Sequence, residues 1–160
     1  TISIPLLFGY ISLDGNFTYF ESIIVDVQTM ERITAHSFER GDHDASHGIW
    51  VAKPNDNSNL DSAIFRAVDY RDLKVTKPGL ESRLIHSNAN TQIYRISARS
   101  YAHAVQLELP DKVIPSDNYF DLLPGESRDI QIFSAEPIHF DTIHVSSVND
   151  ENFYRKSVTD

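Results

Sequence analysis

The chain has 160 residues, of which 41% are apolar and 23% charged, and carries a net charge of −9. This composition can fill a core and excludes a disordered chain. The acidic balance, shared by both halves when the chain is divided at Lys77, argues against nucleic acid and anionic membrane as partners. There is no cysteine, which excludes disulfides and thiolate metal ligands, and no apolar run approaches the roughly 20 residues of a membrane span.

Residues 3–13 are β-branched, aromatic and aliphatic, and they end at Asp14-Gly15, a hairpin signal. A second run, 17–27, places Ile23, Val25 and Val27 on one face. Pro5 assigns its surroundings to a strand start or a sheet edge. Alternation at Ile33, Ala35 and Ser37 predicts a third strand, and residues 48–51 and 63–68 predict two more, although 61–70 also admits a short helix. Stretches 39–48 and 53–59, rich in Asp, Asn, Gly and Ser, are predicted loops. A polar segment at 70–78, closing on Pro78-Gly79, is the predicted domain boundary.

The second half is more regular. Residues 80–87 precede a turn at Asn88-Ala89-Asn90, and Tyr94, Ile96 and Ala98 then alternate with Arg95, Ser97 and Arg99. The phase shifts after Ser100, before Val105, Leu107 and Leu109. Runs at 119–123, 130–133 and 143–148 follow, each set off by turn residues, and the spacing predicts an antiparallel sandwich of immunoglobulin type. No amphipathic helix is evident. The tail, 151–160, is polar apart from Phe153, Tyr154 and Val158.

The most distinctive stretch is 115–127. In Leu123-Pro124-Gly125-Glu126, proline presets φ for the first turn position and glycine supplies the positive φ that a type II turn needs at the next. Asp117 and Asn118 break the chain a second time, because short polar side chains compete for nearby backbone groups. The run Ser116-Asp117-Asn118-Tyr119-Phe120-Asp121-Leu122-Leu123-Pro124-Gly125-Glu126 resembles the last immunoglobulin-like domain of β-mannosidases in glycoside hydrolase family two. Residues 65–78 are similar to that family's joint between domains, with Tyr70 and Arg71 where proline and lysine are usual. Residues 97–109 resemble a strand pair of the final domain.

Among candidate site residues, His43 and His47 stand among Asp42 and Asp44, and imidazole with carboxylate suits zinc or nickel. A four-residue spacing sets no common face without a helix, so a solvated loop is the preferred reading and no metal or cofactor is expected. A retaining glycosidase needs two carboxyl groups about 5 Å apart. Nothing in the spacing pairs Glu39, Asp42, Asp117, Asp121 or Glu126, and turn capping is the reading for Asp117 and Asp121. Trp50 and Tyr119 are the candidates for carbohydrate contact, drawn from a set that includes Tyr10, Tyr19, Tyr70 and Tyr101. Trp50 also reads as core. Asn16-Phe17-Thr18 fits a glycosylation acceptor pattern and is read as chance.

The resemblance implies an all-β chain of two immunoglobulin-like sandwich units. A first unit, whole or partial, resembling a mannosidase immunoglobulin or carbohydrate-module domain would occupy 1–69, a linker 70–78, a C-terminal sandwich 79–150 and a tail 151–160. It further implies a parent enzyme hydrolysing terminal β-mannosides with retention on a (β/α)8 barrel. Such a barrel needs about 250 residues, so no catalytic residue carries over and the chain is expected to be scaffold whose partner is that barrel. A carbohydrate-binding module for mannose-containing oligosaccharide, or a protein interaction domain, are the alternatives. The start at Thr1, with no basic lead or apolar signal segment, predicts an excised piece of a larger protein. A cytoplasmic or periplasmic bacterial setting fits better than disulfide-bonded secretion.

Overall fold

The computed structural model describes residues 1–35, 37, 41, 43–55 and 61–150. The chain divides into two compact units, Thr1–Lys74 and Val75–Asp160. Expectations for Glu39, Asp42 and the 151–160 tail lie outside the described residues.

In the first unit, β1 (Ile2–Ser12), β2 (Thr18–Val27), β3 (Gly48–Pro54) and β4 (Ala63–Phe65) form an antiparallel sheet in the order β2-β1-β3-β4. The β1–β2 hairpin turns where Gly15 adopts φ 77°. Its Asp14 carboxylate accepts hydrogen bonds from Ser12 Oγ and the Asn16 backbone N–H, at 2.6 and 3.0 Å. Pro5 falls just outside the β1–β3 register, which begins at Leu6, so its missing N–H costs that ladder nothing. At Gly9 the backbones crowd: an added Cβ would lie 1.8 Å from the Tyr19 carbonyl oxygen.

The third strand expected around Ile33 is not formed. Residues 31–35 and 37 are exposed and in no strand: alternation gives only a propensity, and here it buries no face that would hold a strand in place. The chain leaves β2 through a turn at Met30, with φ 61°, closed by the Glu31 N–H on the Gln28 carbonyl. Residues 61–70 hold β4 in place of a helix, and a single 3-10 turn follows at Tyr70–Asp72.

In the second unit, β5 (Glu81–Ser87), β6 (Thr91–Ser97), β7 (Ala102–Glu108), β8 (Val113–Pro115), β9 (Phe120–Leu122), β10 (Ser127–Ser134) and β11 (His144–Ser146) form two sheets, β5-β6-β10-β8 and β11-β7-β9. Alternation along β6 and β10 sends Tyr94, Ile96, Ile130 and Ile132 inward. They meet Val105, Leu107, Phe120 and Leu122 from the opposite sheet in one buried cluster. Each fully buried aliphatic side chain here contributes about 1.5–3 kcal/mol. Gln92, also buried, donates from Nε2 to the Phe140 carbonyl at 2.7 Å and accepts from the Tyr94 hydroxyl at 3.1 Å. That pins the connection between β10 and β11 to the core.

Candidate functional site

The 115–127 stretch builds the centre of the second unit. The Pro124-Gly125 reversal is the predicted type II turn: Gly125 has φ 76°, and the Glu126 N–H donates to the Leu123 carbonyl at 3.0 Å. The Glu126 carboxylate reaches back to the Leu123 N–H at 3.3 Å. The Gly125 N–H donates to Ala98 O, and the Ala98 N–H to Glu126 O, at 2.9 and 3.2 Å, so the turn is stitched to the end of β6.

Upstream, Asn118 Oδ1 accepts from the Leu107 N–H at 2.9 Å, and the Tyr119 N–H donates to the Val105 carbonyl at 2.8 Å. Tyr119 has φ 65°, a conformation held by these bonds. Asp117 pairs with Arg128 at 2.9 Å, and the Arg128 guanidinium lies 5.2 Å from the centre of the Phe120 ring. Phe120, the first residue of β9, is buried, while Tyr119, in the bend before it, is 64% exposed.

Asp121 anchors a defect in the neighbouring strand. The β7–β9 register slips between Ala102 and Val105, and Ala104 takes φ 50°. A bulge leaves backbone groups without ladder partners. The Asp121 carboxylate accepts from the Ala104 N–H at 2.9 Å, from His103 Nδ1 at 2.7 Å and from the Tyr101 hydroxyl at 2.8 Å. Burial raises the Asp121 pKa, but these hydrogen bonds and the adjacent imidazole outweigh it and hold the carboxyl at about 2. Buried Asn149 completes the arrangement: its Oδ1 accepts from the His103 N–H at 3.0 Å and its Nδ2 donates to the Tyr101 carbonyl at 2.6 Å. Asp121 was expected to cap a turn; it satisfies the bulge of an adjacent strand instead.

Elsewhere in this unit an open groove of about 570 Å³ runs between β5 and β11, lined in part by Lys77, Ser82, Glu108, His144 and Asp150. Both of its carboxylates have partners. Glu108 pairs with His144 at 3.1 Å, and Asp150 accepts from the Ser147 N–H and hydroxyl, each at 3.1 Å. Asp117, Asp121, Glu126, Glu108 and Asp150 are thus engaged in holding turns, a bulge and an edge.

In the first unit, Trp50 is 3% exposed and packs edge-on to Tyr10 at 5.1 Å. It is a core residue with no free ring face for a sugar, because the β1–β3 register sets Tyr10 directly across from it. His43 stacks on Tyr10, with ring centres 4.5 Å apart and planes 9° from parallel. His47 turns to the Asp44 carboxylate at 2.8 Å, and hydrogen bonds from the Ser46 N–H and hydroxyl and from His47 hold Asp44 at about 2. No three metal-ligating side chains cluster among the described residues. Tyr101 is buried and bonded to Asp121, whereas Tyr19 remains half exposed.

Residues 75–151 match the family model Ig_mannosidase, described as an Ig-fold domain. The second unit is therefore an immunoglobulin-fold domain of the mannosidase type. The crystal structure of a β-D-mannosidase from Dictyoglomus thermophilum superposes with a TM-score of 0.76 over 92% of this chain, at 13% identity. The match takes up 19% of that protein, so the chain spans a minor part of its length. No curated protein matches the chain in sequence.

Proposed function

We propose that the chain is the non-catalytic C-terminal scaffold of a β-mannosidase-like retaining exo-glycosidase, packing on or beside a (β/α)8 barrel elsewhere in the same protein. The observation that carries this reading is the employment of Asp117, Asp121 and Glu126. Each lies in the family-matched region, and each is committed to an arginine, a bulge or a turn. A nucleophile and acid pair needs carboxyl groups facing a common substrate space, and a carboxyl held at about 2 is a poor general acid at neutral pH.

The first unit fits the preceding sandwich-type domain, present in part. Its sheet carries Leu6, Phe8 and Tyr10 on one face and Leu7, Ile11 and Ile49 on the other. A sheet apolar on both faces needs cover on both. Ile2 and Ile24 are largely exposed, which supports packing against further parts of a parent protein.

The test is an assay of the purified 160-residue chain with an aryl β-D-mannoside. No turnover is expected. Turnover that persists through re-purification and is abolished by Asp121→Asn would overturn the scaffold reading.

A further inference from the structure

We propose that the hairpin end of the first sheet is a carbohydrate-binding platform formed by Phe17, Tyr19 and His43, which takes a neutral pyranose ring of an oligosaccharide. Tyr19 sits across β1 from Tyr10, and Tyr10 across β3 from Trp50, so the three rings share one face of the sheet. Tyr10 and Trp50 form the buried floor, whereas Phe17 and Tyr19 stay 49% and 48% exposed. His43 lies flat on Tyr10, with Phe17 at 5.7 Å and Tyr19 at 6.0 Å. Two half-exposed rings held beside a stacked imidazole give a broad aromatic surface over a rigid floor, where little side-chain freedom is left to lose on binding.

The rim decides the class of ligand. The Tyr19 hydroxyl donates to the Glu21 carboxylate, and the Tyr10 hydroxyl donates to the Asp44 carbonyl at 2.8 Å. Asp14 lies at the hairpin turn, and burial, followed by the charges of Asp44 and Asp14, raises the Tyr10 pKa. Carboxylates beside aromatic rings accept from ligand hydroxyls and repel phosphate, so nucleotides and anionic glycans do not fit. An organic cation binds over an open ring face, and His43 already lies over that of Tyr10. A flat ring with an apolar C–H face and hydroxyl donors at its edge matches both features.

The platform is independent of the scaffold reading, although the choice of mannose as first sugar rests on it. The experiment is calorimetric titration of the whole chain with β-1,4-mannohexaose and with cellohexaose, alongside tetramethylammonium. Saturable binding of either sugar is expected, weakened at least about tenfold by Tyr19→Ala and by Phe17→Ala and unchanged by Phe133→Ala, which removes an exposed ring of the other unit. If Tyr19→Ala lowers the melting temperature, Tyr19→Leu keeps apolar bulk across from Tyr10 and removes only the ring. Binding of neither sugar up to about 10 mM, binding indifferent to Phe17 and Tyr19, or binding of the cation in place of sugar would each overturn the proposal. A preference for the glucose oligomer leaves the platform standing and counts against a mannoside-specific parent.

Discussion

Removing the Asp121 carboxylate tests most sharply how the second unit is held together. Asp121→Ala takes away the acceptor for the Ala104 N–H, His103 Nδ1 and the Tyr101 hydroxyl, while Ala104 must still hold φ 50°. Lost acceptors for buried donors cost about 1–3 kcal/mol each. The half-buried imidazole can rehydrate, so a total of about 3–4 kcal/mol is expected for the substitution. Asp121→Asn keeps an acceptor oxygen and loses the charge. The gap between the ordinary carboxyl value of 3.8 and about 2 corresponds to about 2 kcal/mol at neutral pH. The Asp121 side chain is only 18% exposed, so solvent screening takes little from that figure. Because the folded-state value is the lower one, this contribution is complete above about pH 4 and fades as pH falls toward 2. Urea melts from pH 7 to 2, followed by tyrosine near-UV signal, measure it. The wild type should lose its advantage over Asp121→Asn across that interval. A difference that stays constant with pH, or an Asp121→Ala cost under about 1 kcal/mol, would refute this role for the carboxylate.

Trp50→Ala should destabilise the first unit by about 3–5 kcal/mol, seen as an early transition in thermal melts, because the ring is core and not a ligand platform. Gly9→Ala should cost at least about 2 kcal/mol, since its Cβ meets the Tyr19 backbone oxygen. Gly125→Ala, which meets open space, should cost only about 1 kcal/mol for its positive φ; urea midpoints of the two variants would reveal the contrast. Arg95→Ala breaks a bidentate pair with Asp129, at 2.7 and 2.8 Å. Both partners are nearly half exposed, so a loss under about 1 kcal/mol that vanishes in high salt is expected from chemical denaturation.

The second unit was largely legible because its turns are built from residues with strong local chemistry. Asn88 Oδ1 accepts from the Asn90 and Thr91 N–H groups, and Pro124-Gly125 closes the type II turn that its composition demands. The phase shift after Ser100 corresponds to the bulge at Ala102–Val105. Strand β8 escaped notice because Val113-Ile114-Pro115 is too short to display a period. The His103–Asp121 contact escaped for a different reason: it joins residues 18 apart through sheet pairing that no local pattern encodes. In the first unit, alternation at Ile33 and Ala35 suggested a strand, but both side chains stay exposed, so the pattern had no buried face to enforce it. His43 was noticed for its carboxylate neighbours, but its surroundings are set by Tyr10, Phe17 and Tyr19, whose odd spacing across a hairpin was the signal available for that cluster.

The proposed scaffold role of the second unit, in which Asp117, Asp121 and Glu126 hold structure, is tested most directly by a mechanism-based label. A retaining glycosidase forms a covalent glycosyl-enzyme intermediate on its nucleophilic carboxylate, and 2-deoxy-2-fluoro-β-D-mannosyl fluoride traps that species. Intact-mass measurement of the purified chain after prolonged incubation should show no adduct. A stoichiometric mannosyl adduct mapped to Asp117, Asp121 or Glu126 would contradict that role.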